Sequence, residues 1–170
     1  MELARVLLVA NRTAADTPLL EAVRQRTERG PVVFHLVVPA TPQGLHRVVD
    51  PEVAGRDLAA ERLARALPVL AEAAGQEVTG HVGDANPLCA VQDALNLQLF
   101  HEIILSTLPW RVSQWLRVDL PSKIRALGLP VLYVQQRPPA ARSLDLGSPH
   151  RAKVAAQPRT GDDPLLADLA

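Results

Sequence analysis

The chain has 170 residues, about half of them apolar, and as many acidic as basic side chains, for a formal net charge of zero. That length suits one domain with a core of its own plus a short appendage. The balanced charge argues against a nucleic-acid partner or an acidic membrane held by bulk electrostatics. A single cysteine, Cys89, leaves no intrachain disulfide and no thiolate cluster for a metal.

The start, MELARVLLVANRT, places only five apolar residues after Arg5. That is too short for the apolar region of a signal peptide. No stretch approaches the roughly 20 apolar residues of a membrane span. The expectation is a cytoplasmic protein with no membrane partner.

Val6-Leu7-Leu8-Val9-Ala10 is a continuous apolar run, the pattern of a strand buried on both faces. Asn11 to Asp16 is polar and reads as a loop. Thr17 then Pro18 reads as an N-cap followed by a first-turn proline, with a helical stripe through Leu20, Val23 and Thr27 ended by Gly30-Pro31. Val32 to Val38 is the second strand, and Pro39 to Asp50 is a loop bearing proline and glycine. A helix over 57–74 sets Leu63, Leu67, Leu70 and Ala74 on one face, with a kink expected at Pro68 and a C-cap at Gly75.

Glu77 to Val82 alternates and forms a third strand. In the following "GDANPL", Asn86 can cap and Pro87 can open a helix through Leu88, Val91, Leu95 and Phe100. Glu102 to Leu105 is the fourth strand, and "STLPWRVSQWLRVDLP" follows as a loop with two tryptophans and no glycine. Pro121 starts a helix through Leu127 that Gly128 stops, and Pro130 to Val134 is the fifth strand. Strands alternating with helices predict a parallel sheet covered on both faces, wound by right-handed crossovers. From 136 to 170 proline, alanine and charge replace any core-sized apolar pattern, so this segment reads as a disordered tail on a domain of residues 1–135.

No catalytic set is legible. The five histidines show no H-E-x-x-H spacing. His35 reads as a hydrogen-bonded residue at the edge of the core. Cys89, among Leu88, Ala90 and Val91, reads as a buried thiol. Ser106 and Thr107 follow a strand without the G-x-S-x-G elbow of a nucleophile. The first strand ends in Ala-Asn-Arg, without the acidic cluster that would hold Mg²⁺, and there is no Walker motif and no G-x-G-x-x-G.

Three pieces resemble the universal stress protein family, over roughly residues 4 to 135. "VLLVANRTAAD" is similar to the family's first strand and loop, "HVGDANPLCAV" to its third strand, turn and third helix, and "HEIILST" to its fourth strand. The resemblance implies an α/β fold: a three-layer, doubly wound, five-stranded parallel sheet of order 3-2-1-4-5. In that order the chain reverses between strands one and four, and ligands bind in the crevice at their carboxyl ends. Asn11, Arg12 and Thr13 would line one side. Ser106, Thr107 and the loop after them would line the other.

Members that bind ATP use an Asp after strand one, a residue near the end of strand two, and G-x2-G-x9-G-S/T after strand four. Carried across, Asn11 replaces the Asp, Thr13 matches a hydroxyl position and Val37 is the strand-two counterpart. Ser106 replaces the first glycine, Pro109 lies at the second, and Asp119-Leu120 lies near the final Gly-Ser. Glycines turn backbone N–H groups onto phosphate oxygens, whereas proline has no N–H to offer. Asp119 would add a charge repelling phosphate by about 4 kcal/mol at 4 Å and an effective dielectric near 20. A micromolar ligand binds with only about 8 kcal/mol. The nucleotide loop in the family's form is therefore expected to be absent.

Arg111, Arg117 and Lys123 could instead meet an anion by side chain, and Trp110 or Trp115 could stack on a base or fill the crevice. The resemblance thus implies a non-catalytic binding or regulatory domain of stress response. Its candidate ligand is a small molecule, such as ATP or another adenine nucleotide. Its candidate contacts are Asn11, Arg12, Thr13, Val37, Ser106, Thr107, Arg111 and Trp115. The alternative is a ligand-free scaffold that forms a homodimer through the fifth-strand edge, Val131 to Val134, with tryptophans filling the crevice. Weak ATP hydrolysis has the least support.

Overall fold

The computed structural model describes residues 3–41, 51–109, 113–117 and 119–136; the side chains of 51–54, 114 and 117 are not described. The chain divides into units at 1–140 and 141–170, and only the first contains described residues. The expected tail from 137 onward, Trp110 and Arg111 lie outside the described residues.

Five strands form one sheet: β1 (Ala4–Val9), β2 (Val32–Pro39), β3 (Thr79–Gly83), β4 (Glu102–Thr107) and β5 (Val131–Gln135). Their order is β3-β2-β1-β4-β5, and every neighbouring pair is parallel. This is the expected 3-2-1-4-5 order. Val6 to Val9 of β1 pair with Glu102 to Leu105 of β4, and Ala4 to Val9 pair with Val32 to Val37 of β2. β1 is therefore the central strand, which is why its sequence is apolar without alternation.

Alternate residues of the strands feed two cores. Val6, Leu8, Phe34, Leu36, Val38 and Ile104 pack with Leu19, Val23, Ala66 and Leu70. Those four belong to α1 (Thr17–Glu28) and α2 (Pro51–Ala74). Leu7, Val9, Val37, Ile103 and Leu105 pack on the opposite face with Ala90, Val91, Trp115 and Ile124. These come from α3 (Pro87–Leu97), the short α4 (Gln114–Arg117) and α5 (Leu120–Arg125).

Local chemistry sets the boundaries. Asn86 caps α3, its side chain accepting from Leu88 N at 3.0 Å, and Pro87 opens the helix. At α1 the N-cap is Asp16 rather than Thr17, and it makes no side-chain cap bond. Thr17 is already helical, so Pro18 still falls in the first turn where no N–H is missed. α2 begins at Pro51, six residues before the expected start, because that proline also suits a first turn, and it runs through Pro68 to Ala74. Gly75 follows with φ +64°.

α3 stops at Leu97, not Phe100; Gln98 is extended, which frees Phe100 to turn into the second core. The expected loop after Leu105 starts two residues later, since Ser106 and Thr107 pair with Val134 and Gln135 inside the sheet. That segment also contains α4, capped by Ser113, whose Oγ accepts from Leu116 N at 3.4 Å. Cys89 is partly buried rather than enclosed. No helix among the described residues is long and apolar enough to cross a membrane.

Candidate ligand site at the carboxyl end of the sheet

β1 and β4 are parallel neighbours, and their connections leave on opposite faces of the sheet. Their carboxyl ends therefore lie at the point where the winding reverses. Four polar side chains are buried there: Asn11, Thr13, Ser106 and Thr107. Buried polar groups must be hydrogen-bonded or they cost stability, and each of these has found a partner.

Ser106 Oγ donates to Thr13 Oγ1 at 2.9 Å, tying the end of β4 to the loop after β1. Thr107 Oγ1 lies 2.8 Å from the Tyr133 hydroxyl and 3.1 Å from the Leu108 carbonyl, to which it donates. Asn11 Nδ2 donates to the Pro39 carbonyl at 2.7 Å, while Asn11 Oδ1 accepts from Arg62 of α2. An asparagine suits this position better than a carboxylate would, because of the two only an amide can donate to the Pro39 carbonyl and accept from Arg62 together.

The other candidate residues divide. Arg12 is exposed beside Asn11. Val37 is fully buried in the second core; its backbone carbonyl, which accepts from Ala10 N at 3.3 Å, is bound into the junction with β1. Trp115 is 8% exposed and packs in the second core with Val37, Ala90 and Leu120. Lys123 is exposed on α5. Asp119, mapped to the region of the final glycine, holds a left-handed conformation with φ 53°, where glycine is the favoured residue. A backbone shape that favours glycine is thus held there by a residue that brings a carboxylate.

Two pockets flank the loop after β1. One, of about 260 Å³, is lined by Asn11, Arg12, Ala14, Ala15, Arg62 and Arg65. Burial depresses the Arg62 pKa, and the charges of Arg12 and Arg65 depress it further, while Glu61 acts the other way. The second, of about 470 Å³, is lined by Asp16, Thr17, Pro18, Glu21, Gln135 and Gln136. Asp16 Oδ2 is buried there without a hydrogen-bond partner, and burial raises the pKa of the carboxyl.

Arg62 and Arg65 escaped the sequence reading. Their signal was an R-x2-R pair, one turn apart on a predicted helix, and nothing in one sequence says that this turn meets the loop after β1.

Away from this end, His35 and His81 meet across β2 and β3. His35 Nε2 lies 2.7 Å from His81 Nδ1, and His35 Nδ1 lies 2.7 Å from Thr79 Oγ1. Burial lowers both pKa values; the His81 charge lowers that of His35 further, and Asp93 partly restores that of His81. Among the described residues no group of three or more His, Cys, Asp or Glu side chains could hold a metal ion.

No family model matches the chain, and no curated protein matches it in sequence. Solved structures do match. The chain is similar to the universal stress protein of Archaeoglobus fulgidus, at TM-score 0.53 and 15% identity, over 79% of this chain and 95% of that one. It is similar to the hypothetical protein PH0823, at TM-score 0.55 and 15% identity, over 80% and 98% of the two chains. It is also similar to a protein of the universal stress protein family from Burkholderia pseudomallei, at TM-score 0.50 and 14% identity, over 76% and 94%. The fold is thus that of the universal stress proteins, carried by a sequence far diverged from these three.

Proposed function

We propose that the chain is a non-catalytic binding or regulatory domain whose small-ligand site lies at the carboxyl ends of β1 and β4. The observation that carries this reading is the buried polar group Asn11, Thr13, Ser106 and Thr107 at the reversal point of a doubly wound sheet. The ligand class it favours is a small molecule such as a divergently bound adenine nucleotide. Arg12 stands at the mouth, and Arg111 is the proposed anion contact from the loop after β4. The domain acts by changing shape or partner affinity on binding.

The test is intrinsic tryptophan fluorescence and melting temperature with ATP, ADP, AMP, cyclic nucleotides and nucleosides. A ligand at 100 times its dissociation constant stabilises the fold by about 2.7 kcal/mol. An Arg111→Ala variant should bind nucleotide more weakly; unchanged binding would remove that contact.

A second reading has its own support. The Ser106–Thr13 bond spans the two sides of the crevice, and Trp115 is packed into the core rather than offered to a ligand. On this reading the domain is a ligand-free homodimer joined along the outer edge of β5, whose burial is only partial and where Leu132 is 43% exposed. Sedimentation equilibrium decides it: a monomer at all concentrations removes the reading.

A further inference from the structure

Strand β3 lies at the edge of the sheet, with β2 as its neighbour. Its five residues, Thr79–Gly83, include two glycines, and none is fully buried. Val82 supplies its apolar packing, against the first core. An edge strand held so lightly opens more readily than the strands inside the sheet.

Beyond the backbone ladder, a run of side chains ties β3 to β2. Thr79 Oγ1 lies 2.7 Å from His35 Nδ1, and His35 Nε2 lies 2.7 Å from His81 Nδ1. Thr79 and His81 belong to β3 and His35 to β2, so the His35 ring bridges the two strands twice. The Phe100 ring, 6.1 Å away, backs His35, and Leu7 of β1 stands in register with it. The charge that reaches the pair from a neighbouring element is that of Asp93 on α3, which favours a protonated His81.

A hydrogen bond between two imidazole nitrogens needs one proton in the gap and one lone pair to receive it. The neutral pair supplies both. So does the singly charged pair: with both His81 nitrogens protonated, His81 Nδ1 donates to His35 Nε2, and His35 Nδ1 donates to Thr79 Oγ1. A second proton must go to His35 Nε2, the atom that accepts the bond. The gap then holds two N–H groups, on like-charged rings whose centroids are 5.0 Å apart. The bond is lost and the rings repel.

We propose that His35 and His81 form an acid-operated clasp, closed while the pair carries at most one extra proton and released by the second, which frees β3 from β2. Protonated histidine clusters reset packed elements in this way. The release reaches the carboxyl end of the sheet. The carbonyls of Gly83 and Asp84 share the Ala40 N–H, each at 3.2 Å. Pro39, just before Ala40, offers its carbonyl to Asn11 Nδ2 at 2.7 Å. Opening β3 thus loosens the anchor of Asn11, and acid weakens the site; this consequence rests on the ligand-binding reading above.

Amide hydrogen exchange of the full chain without ligand, at about pH 7 and about pH 5 and corrected for intrinsic exchange, tests the clasp whatever the domain binds. The expected result is an at least tenfold fall in protection at the amides of β3 and at Ala40, to a level well below that of Leu8 and Ile104. In a His35→Gln/His81→Asn double variant, whose carboxamides can bond but do not titrate, that fall should vanish. The imidazole nitrogen resonances of the parent give a reading that needs no variant: protection of β3 should go with the second titration step of the pair.

Unchanged protection of β3 overturns the proposal. So does one shared protection factor for β3, Leu8 and Ile104 at the lower pH, since β3 would then open only with the whole domain. The same fall in the double variant, or a fall complete at the first titration step, overturns it too. Ala40 as protected as at about pH 7 while β3 opens overturns the link to Asn11.

Discussion

Gly83→Ala should destabilise the domain, and the structure gives the size. A Cβ on Gly83 would lie 2.6 Å from Ala90 Cβ and 2.9 Å from Val37 Cγ1. Carbon atoms pack at about 3.5–4.0 Å, so the new methyl is about 1 Å too close to both. Neither neighbour can swing away: Ala90 Cβ is fixed to the backbone of α3, and valine is stiff at χ1. Helix α3 must therefore move outward from β2 and β3.

Overpacking of this kind costs about 1–3 kcal/mol, and the reduced freedom of the unfolded chain returns about 0.4–1 kcal/mol. The net loss is about 1–2 kcal/mol, or roughly 3–8 °C in melting temperature for a domain of this size. Far-UV circular dichroism, followed through heating and through urea, measures it. Gly75→Ala serves as the contrast, since a Cβ there meets nothing within 4 Å and the only cost is left-handed backbone at φ +64°, about 1 kcal/mol. A Gly83→Ala protein as stable as the parent would refute the claim that close helix packing dictates this glycine.

Three further outcomes are expected. Asn11→Ala removes the bond to Pro39 and the bond from Arg62; at about 1 kcal/mol for a neutral bond and about 1.5–3 for one to a charged group, urea unfolding should show a loss of about 3 kcal/mol. A loss under about 0.5 kcal/mol would mean that those bonds do not form in solution. Asp119→Val should cost about 1–2 kcal/mol because a β-branched residue resists φ 53°, while Asp119→Gly should hold or raise the urea midpoint. Equal midpoints for the two would remove the strain argument.

Stability should also fall with acid through the histidine pair. Both folded pKa values lie below the ordinary 6.5, so the unfolded chain takes up protons first as pH drops. The contribution is complete above about 6.5 and is lost as pH falls from there through the lowered folded values. Two protonated rings would set N–H against N–H across the 2.7 Å gap. His81→Asn should flatten the urea midpoint between pH 7 and pH 5, and an unchanged slope would count against the pair.

The sheet order was legible because each strand is a compact apolar run and each helix carries its own punctuation. Pro87 behind Asn86, and Gly75 and Gly128 just past helix ends, are local signals that tertiary structure had no reason to override. The early start of α2 at Pro51 was hidden because proline and glycine around it read equally as loop. Ser106 and Thr107 read as loop because they lie past the apolar run Ile103-Ile104-Leu105, yet their strand pairing and their bonds to Thr13 and Tyr133 bury them.

The candidate site was legible in the sequence as a place more than as a set of contacts. Asn11 and Thr13 follow from their position after β1. Arg62 lies 51 residues from its partner Asn11, and that meeting exists only once α2 has packed against α1 and the sheet. The role of Asn11 as a two-way connector, and the left-handed turn at Asp119, likewise depend on geometry that single-residue identity does not carry.

The central claim is that ligand is received where β1 and β4 end side by side. Backbone amide resonances of the uniformly labelled full chain, followed during a titration with AMP, test it most directly. Saturable shifts are expected at Asn11, Arg12, Thr13, Ser106 and Thr107. Shifts confined to residues 131–135, or a spectrum that AMP leaves unchanged at millimolar concentration, would contradict it.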